Sequence, residues 1–277
     1  MLIYMFPGQG SQRQGMGREL LQKYSSLIEC ANDILGYSVE EMVVFNPENK
    51  LDNTLYTQPI IYILNTLYYM EMKNKRPDYV IGHSLGEYNA LFVAGAFSFE
   101  DGLRLVKKRA ELMSESPKGG MVAVLGINLE KIQTIIKKYM LKVEIANINA
   151  PNQIVIAGKN DLLQDYQEIF LSEGAADYIL LNVSGAFHTS MMDQAAYQFG
   201  KFIEPFNFHE IKIPVISNVT GKEIKNSEIK QLLAFQINHT VQWEDSIRYI
   251  IKKGDCVFQQ IGMGRTLKNM VRKISSY

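Results

Sequence analysis

Apolar and polar positions divide the first part of the chain into short buried runs and helical patterns. Residues 1–6 form an apolar run closed by Pro7 and Gly8, which is typical of a buried strand that enters a loop. A second apolar run covers residues 78–81. Apolar residues at helical spacing predict helices over residues 19–35, 60–72, 87–97 and 99–113. This alternation of strands and helices indicates an α/β fold.

The pattern changes after residue 120. Short apolar runs predict strands over residues 121–127, 143–148, 153–157 and 176–183, and helical patterns cover residues 129–139 and 161–173. The resulting order, β-α-β-β-α-β, is that of a ferredoxin-like unit. The sequence therefore predicts a small ferredoxin-like subdomain at residues 121–185, inserted into a large domain formed by residues 1–120 and 186–277. A strand over residues 211–216 and helices over residues 243–253 and 267–274 belong to that large domain.

Composition narrows the function classes. Hydrophobic residues make up 47% of the chain and charged residues 21%, which suits a globular protein with a substantial core. The formal net charge is zero, so no bulk attraction to nucleic acid or to an anionic membrane is expected. Two cysteines, Cys30 and Cys256, supply neither a disulfide framework nor a metal cluster. We expect a reducing compartment and no metal.

No targeting or membrane segment is predicted. The first apolar run is six residues long with no positive charge before it, unlike a signal peptide. No apolar stretch approaches the roughly 20 residues that a membrane helix needs. We therefore expect a cytoplasmic protein that has no membrane partner.

A candidate nucleophile lies between the second predicted strand and the helix that follows it. Residues 82–86 read G-x-S-x-G, the pattern of a nucleophile elbow, and a strand-to-helix turn is where that motif must sit. Its glycines permit a sharp turn, and Ser84 would lie at the N-terminal end of a helix, where backbone N–H groups can hold an oxyanion. A plain tight turn is the alternative interpretation.

The serine hydroxyl needs a base, and the chain has four histidines. His188 follows the point where the small subdomain rejoins the large one, and clefts form at such junctions, so it is the favoured candidate. His83 is adjacent to Ser84 and is expected to be structural. His209 is expected at the surface or in packing, and the role of His239 stays open.

Four motifs occur in order along the chain: FPGQGSQ at residues 6–12, GHSLGEY at 82–88, KKRAELM at 107–113 and AFHTSMM at 186–192. Shorter segments support them, namely TQP at 57–59, NQIVIAG at 152–158, PVISNVTG at 214–221 and QINHTVQW at 236–243. In these residues the chain resembles the malonyl-CoA:acyl carrier protein transacylases of fatty-acid and polyketide synthesis. The resemblance spans nearly its whole length.

The resemblance implies a fold, partners and a reaction. The fold would be an α/β-hydrolase-like large domain with an inserted ferredoxin-like subdomain, in agreement with the pattern above. The partners would be malonyl-CoA and an acyl carrier protein, with no cofactor. In a ping-pong mechanism, malonyl-CoA would acylate Ser84, and the phosphopantetheine thiol of the carrier protein would then take the malonyl group.

The resemblance also assigns roles to single residues. His188 would be the base and acid, oriented by the main-chain carbonyl of Gln236. Backbone N–H groups of Gln9 and Leu85 would form the oxyanion hole. Arg109 would bind the free carboxylate of malonate, because a planar guanidinium can grip a carboxylate with two parallel hydrogen bonds.

Other positions bear on specificity and pathway. Asn149 lies in a segment that lines the pantetheine channel in the family, and Phe187 is expected to crowd the α-carbon of a bound acyl group. The chain departs from the family pattern at Thr240 and at Met263, where proline is usual. The GAFH form of the histidine motif at residues 185–188 is closer to polyketide malonyl transferases, which suggests a free-standing transferase that serves a modular synthase.

Three alternatives remain on the residues alone: a serine esterase or thioesterase, a proofreading acyl hydrolase of the same family, and an inactive scaffold that docks carrier proteins. Arg109 argues against the hydrolases, since neutral esters give no use for a buried cation, and a scaffold needs no intact Ser84 and His188. The lysine-rich stretches 73–76 and 268–273 would attract an acidic carrier protein or be solvated surface charge.

Overall fold

The computed structural model describes residues 1–72 and 76–277, so most of the lysine-rich stretch 73–76 lies outside the described residues. The strands are β1 (Leu2–Phe6), β2 (Tyr79–Gly82), β3 (Gly120–Leu125), β4 (Val143–Ala150), β5 (Gln153–Gly158), β6 (Asp177–Leu180), β7 (Val215–Ile216) and β8 (Val257–Gln260). The helices are α1 (Arg18–Lys23), α2 (Ser25–Leu35), α3 (Val39–Phe45), α4 (Thr54–Met70), α5 (Gly86–Ala94), α6 (Phe99–Glu115), α7 (Leu129–Lys138), α8 (Asn160–Asp165), α9 (Gln167–Ser172), α10 (Asp193–Ile203), α11 (Ile229–Phe235), α12 (Trp243–Ile251) and α13 (Thr266–Ser275). Together they make a mixed α/β fold.

The first sheet is parallel and has the order β7-β2-β1-β8. Side chains alternate across β1: Tyr4 and Phe6 face the core that contains α4, α5 and α6, whereas Ile3 and Met5 face the core that contains α12 and α13. Helices therefore cover both faces, as the continuous apolar sequences of buried parallel strands require. The C-terminal ends of β1 and β2 meet at one edge of this sheet, where the candidate nucleophile follows β2 directly.

The second sheet is antiparallel and has the order β4-β5-β3-β6. Its own core contains Val122, Ile132, Ile156 and Phe170, contributed by strands and by α7 and α9. The chain enters and leaves this unit side by side, because Lys118 and Gly185 form an isolated antiparallel bridge. The segment that carries His188 starts immediately after that exit.

Several elements differ from their predictions. The predicted helices 19–35 and 161–173 are each divided in two, at Tyr24 and Tyr166. The helix predicted over 60–72 begins at Thr54, with Pro59 inside it and Asn53 as its N-cap. The strand predicted over 211–216 shrinks to Val215–Ile216, because the preceding segment instead donates backbone hydrogen bonds to the chain at the end of α5.

Some elements have no counterpart among the predictions, notably α3, α10, α11 and β8. Strand β8 pairs with β1 in parallel, which no local pattern in the VFQQ sequence indicates. Within the described residues, no helix combines the length and apolar character required to cross a bilayer.

Candidate active site

Ser84 occupies a strained turn between β2 and α5. Its φ is +50°, a left-handed conformation that is uncommon outside glycine. The flanking glycines are required by space: a Cβ on Gly82 would lie 1.8 Å from the carbonyl carbon of Gly86, and a Cβ on Gly86 would lie 2.0 Å from the carbonyl oxygen of Phe6. The motif is therefore not a plain tight turn. It is a tightly packed elbow that presents Ser84 at the start of a helix.

One buried amide clamps this elbow. Asn218, which follows β7, accepts a hydrogen bond from the backbone N–H of Ser84 at 2.6 Å and donates one to the carbonyl oxygen of Gly82 at 2.7 Å. The two contacts bridge the strained residue, so they hold its φ in place. They also occupy the Ser84 N–H, which leaves other donors to stabilise an oxyanion.

His188 completes a dyad with the serine. Its Nε2 lies 2.8 Å from Ser84 Oγ, and its Nδ1 lies 2.7 Å from the main-chain carbonyl oxygen of Gln236. The carbonyl can only accept, so Nδ1 carries the proton and Nε2 is free to take one from the serine. Burial lowers the pKa of His188 to about 3, and the nearby Arg109 charge contributes to the shift. The imidazole is thus neutral at neutral pH.

Arg109, on α6, reaches the nucleophile from the side. Its Nη2 lies 3.1 Å from Ser84 Oγ and 3.0 Å from Gln236 Oε1, and its Nη1 lies 2.6 Å from Gln58 Oε1. The side chain is 1% exposed. No salt bridge joins it to a carboxylate within residues 1–72 and 76–277. Glu111 pairs with Lys108 instead, so Arg109 is not a surface cation of α6.

Gln236 joins the base to the arginine. Its main-chain carbonyl holds His188, and its side-chain oxygen accepts from Arg109. Its side-chain NH₂ donates to the carbonyl oxygen of Ser84 at 3.0 Å and to the carboxyl of Glu87 on α5. One residue therefore contacts the nucleophile, the base and the cation.

Two residues that line the cavity beside Ser84 have a backbone N–H without an acceptor among the described residues. Neither the N–H of Gln9, in the loop after β1, nor that of Leu85, at the start of α5, donates to a protein acceptor in the described part of the chain. The side chain of Gln9 is tied back to Thr54. Both residues line the cavity that Ser84 opens into. Free donors beside a nucleophile are what an oxyanion hole requires.

That cavity has a volume of about 510 Å³ and lies between the two sheets. Phe187 is buried in its wall beside His188, and Asn149 on β4 lines it from the antiparallel sheet. His83 contacts Asn149 through Nε2 at 2.7 Å and packs against the Trp243 ring, so its imidazole is bonded to Asn149 and not to Ser84. Among the other histidines, both His209 and His239 are exposed, and His239 stacks on Phe235.

Comparison with known proteins places this geometry in a family. The acyl transferase domain family matches residues 3–273. The chain belongs to that acyltransferase family. The polyketide biosynthesis malonyl CoA-acyl carrier protein transacylase PksC of Bacillus subtilis (strain 168) is 47% identical over 279 residues, which cover 99% of this chain and 97% of that protein.

Solved structures agree with this membership. A malonyl CoA-acyl carrier protein transacylase from Burkholderia pseudomallei superimposes with a TM-score of 0.96 at 38% identity, covering 100% of this chain and 98% of that one. A malonyl-transacylase solved in complex with its type II polyketide synthase acyl-carrier protein, PlMCAT:AntF, gives a TM-score of 0.93 at 31% identity, covering 99% and 93%.

The acyltransferase site contains more than the sequence predicted. All predicted residues lie at one cavity or directly behind it: Ser84, His188, Gln236, Gln9, Leu85, Arg109, Phe187 and Asn149. Three buried polar residues were missed, namely Gln58, Glu87 and Asn218. Each lies inside a segment that carries the family resemblance, but no local pattern in those segments marks it as buried and hydrogen-bonded.

Proposed function

We propose that the chain transfers a malonyl group from malonyl-CoA to the phosphopantetheine thiol of an acyl carrier protein, through an ester on Ser84. The observation that carries this proposal is Arg109. A buried cation 3.1 Å from the nucleophile, whose hydrogen-bond partners Gln58 and Gln236 are neutral amides, is suited to an acyl group that ends in a carboxylate.

In the first half-reaction, Ser84 Oγ attacks the thioester carbonyl and gives its proton to His188 Nε2. The N–H groups of Gln9 and Leu85 stabilise the oxyanion. As the C–S bond breaks, His188 gives the proton to the coenzyme A sulfur. In the second half-reaction, the pantetheine thiol gives its proton to His188 and attacks the ester, and Ser84 Oγ takes that proton as it leaves. No cofactor takes part.

The malonyl carboxylate also acts on the base. Burial is the main cause of the low pKa of His188, and charge repulsion from Arg109 lowers that pKa further. A carboxylate bound to Arg109 cancels much of that charge, so His188 is a stronger base with a malonyl group bound than without one. Acyl groups that lack a carboxylate leave the base weak. The arginine thus links recognition of the substrate to activation of the serine.

The division of the chain belongs to the same proposal. Residues 1–120 and 186–277 form an α/β-hydrolase-like catalytic domain, and residues 121–185 form a ferredoxin-like subdomain. The separate parallel and antiparallel sheets, the bridge between Lys118 and Gly185 and the independent core of the second sheet support this division. In this arrangement, Asn149 lines the pantetheine channel beside His83 of the elbow.

The acyl carrier protein is the proposed partner, in polyketide or fatty-acid biosynthesis in the cytoplasm. The name of the Bacillus subtilis relative favours polyketide biosynthesis, and the complex of the structural neighbour supports docking of a carrier protein. On this chain, Lys268, Arg272 and Lys273 of α13 line a groove that shares Gln153 and Met270 with the active-site cavity. That placement suits an acidic partner.

Intact-mass spectrometry tests the function directly. Incubation with malonyl-CoA is expected to add one malonyl group to the wild-type chain and none to Ser84→Ala. Addition of a holo carrier protein is expected to move the group onto the carrier. Loss of the group to water at an equal rate without the carrier would identify the alternative, an acyl hydrolase, and defeat the proposal.

A further inference from the structure

Glu87 is a buried carboxyl that the mechanism above does not use. It lies on the first turn of α5, three residues after the nucleophile, and its side chain is 0% exposed. Its Oε2 accepts from the Gln236 side chain and, at 3.4 Å, from the backbone N–H of Asn218. Its Oε1 is buried with no hydrogen-bond partner among the described residues. Keeping a carboxyl ionised in such a place costs considerable free energy, so its presence there requires an explanation.

One effect of Glu87 is on the direction of an amide. An ionised carboxyl only accepts hydrogen bonds, so the Gln236 side chain must turn its NH₂ toward Glu87 and its oxygen toward Arg109. If that amide flipped, its NH₂ would face the Arg109 guanidinium, donor against donor. Glu87 and the carbonyl oxygen of Ser84 are the two acceptors that hold the amide this way round, so the orientation of the guanidinium depends in part on Glu87, through Gln236.

A second effect concerns charge. When Glu87 is ionised, it and Arg109 are two buried opposite charges that balance without touching. A malonyl carboxylate on Arg109 adds a negative charge to the same buried volume. Protonation of Glu87 restores the balance, and its unpartnered Oε1 is an atom that no other group needs as an acceptor.

Resting on the proposed function, we propose that Glu87 is a positioning residue that couples substrate charge to a proton. Its carboxyl helps to fix the Gln236 amide that orients Arg109, and it must carry a proton while the malonyl carboxylate is bound to Arg109. Where Glu87 is ionised beforehand, it takes that proton from the buffer and returns it when the malonyl group leaves for the carrier protein. Acyl groups without a carboxylate bind with no such uptake.

The titration of this site supports the proposal. Burial raises the pKa of Glu87 to about 8, against the hydrogen bonds from Gln236 and Asn218 and the charge of Arg109, so most molecules hold a protonated Glu87 at pH 7 and an ionised Glu87 at pH 9. The other titratable groups that face it stay in one state near that pH. Burial raises the pKa of Tyr88 and lowers the pKa of His83 and of His188, so all three are neutral, and Arg109 keeps its charge.

The experiment compares second-order rate constants for acylation of Ser84 by malonyl-CoA and by acetyl-CoA, between pH 7 and pH 9. Taking the ratio of the two cancels the titration of coenzyme A and of residues common to both reactions. In the wild type, a site that accepts malonyl with Glu87 protonated loses about tenfold in this ratio over the two pH units. In Glu87→Gln, which mimics the protonated carboxyl and can still accept from Gln236, the ratio is expected to stay near its value at pH 7 and to be flat.

Glu87→Met tests the amide. It keeps the volume but removes the acceptor, so the malonyl-to-acetyl ratio at pH 7 is expected to fall about ten- to hundredfold, with acetyl transfer little changed. A wild-type ratio that does not change with pH, an unchanged slope in Glu87→Gln, or equal loss of both substrates in Glu87→Met would overturn the proposal. If Glu87→Met does not fold, the change of the malonyl-to-acetyl ratio with pH in Glu87→Gln still tests the proposal.

Arg109→Ala separates this inference from the proposed function. Selective loss of malonyl in Arg109→Ala, together with an unchanged slope in Glu87→Gln, would remove the role of Glu87 and leave the malonyl transferase intact. Equal loss of malonyl transfer and acetyl transfer in Arg109→Ala would instead show that Arg109 does not bind the malonyl carboxylate. The proposed function and the role of Glu87 both depend on that binding.

Discussion

Nδ1 of His188 lies 2.7 Å from the main-chain carbonyl oxygen of Gln236, so the imidazole of the dyad is fixed by a neutral acceptor. A carboxylate in that position would stabilise the imidazolium and raise the pKa of the histidine. The neutral carbonyl fixes the tautomer and raises the pKa only through its hydrogen bond, whereas burial, and after it the charge of Arg109, lower the pKa of the imidazole. Because the acceptor belongs to the backbone, it persists through any substitution of the Gln236 side chain that leaves the turn intact.

Substitution of His188 and of His83 is expected to show which of the two histidines is the base. His188→Ala should lower single-turnover acylation by about 10²–10⁴, because in the described part of the chain Ser84 Oγ has no other proton acceptor within hydrogen-bond distance. His83→Ala is the matched control: it removes an imidazole of the same cavity that contacts Asn149 rather than Ser84. Equal losses in two folded variants, checked by circular dichroism, would leave the choice of His188 unsupported.

The acid side of the pH profile is expected to be flat. The active form of His188 is neutral, and its pKa of about 3 means that this form persists as the pH falls. An unperturbed histidine, with a pKa of about 6.5, would lose most of its activity between pH 7 and pH 5. Second-order rate constants for acylation by acetyl-CoA across this range check the prediction, since acetyl leaves the Arg109 charge in place. A titration near pH 6.5 would contradict the low pKa.

Substitution of Arg109 is expected to act on malonyl and acetyl in different ways. Arg109→Ala should reduce malonyl transfer sharply, since loss of one partner of a buried charge pair typically costs about 3–5 kcal/mol. Acetyl transfer should be no worse and could improve, because the repulsion that weakens His188 disappears. Arg109→Lys should keep part of the malonyl transfer activity, because the ammonium group keeps the charge but cannot form the two parallel hydrogen bonds of a guanidinium.

Acyl-enzyme formation from malonyl-CoA and from acetyl-CoA, measured for each Arg109 variant after matching of melting temperatures, gives the comparison. If both substrates suffer equally in the well-folded alanine variant, Arg109 does not bind the carboxylate.

Phe187 is expected to select against a branched α-carbon. Its ring is buried in the cavity wall next to the base, so a methyl group at that carbon would meet it. Malonyl should be preferred over methylmalonyl, with a smaller preference in Phe187→Ser, and one methyl is worth only about 1–3 kcal/mol. Competition of the two acyl-CoAs in one reaction gives the ratio, with Phe187→Tyr as a control that keeps the ring. Preference of the wild type for methylmalonyl would defeat this interpretation.

Local pattern was enough for the elements that place the nucleophile. The apolar runs of β1 and β2 and the glycines around Ser84 are short-range signals, because strand burial and a tight turn depend on neighbours in sequence. The start of α4 was placed too late because proline is usual at a helix start, whereas Pro59 lies inside the helix, whose first turn is capped by Asn53. Strand β8 was missed because its place is set by pairing with β1, from the far end of the chain.

The same distinction applies to the site. The resemblance named residues that act on substrate, and the structure brings them together. It gave no reason to single out Gln58, Glu87 or Asn218, whose partners lie far away in sequence. The contact of Asn218 with Ser84, for example, spans 134 residues. Buried amide and carboxyl networks of this kind have no spacing rule, so they become visible only once the chain is folded.

The order of the chain has a consequence for folding kinetics. Ser84 and His188 are 104 residues apart in sequence, so the dyad is a non-local contact whose formation needs closure of a long loop. The antiparallel sheet lies wholly inside that loop and closes on itself at the bridge between Lys118 and Gly185. If it forms first, it removes most of the intervening chain from the closure, and the remaining search is short. During refolding, the capacity of Ser84 to be acylated should then recover later than the secondary structure. In that order of events, the nucleophile meets its base only after the inserted sheet has formed.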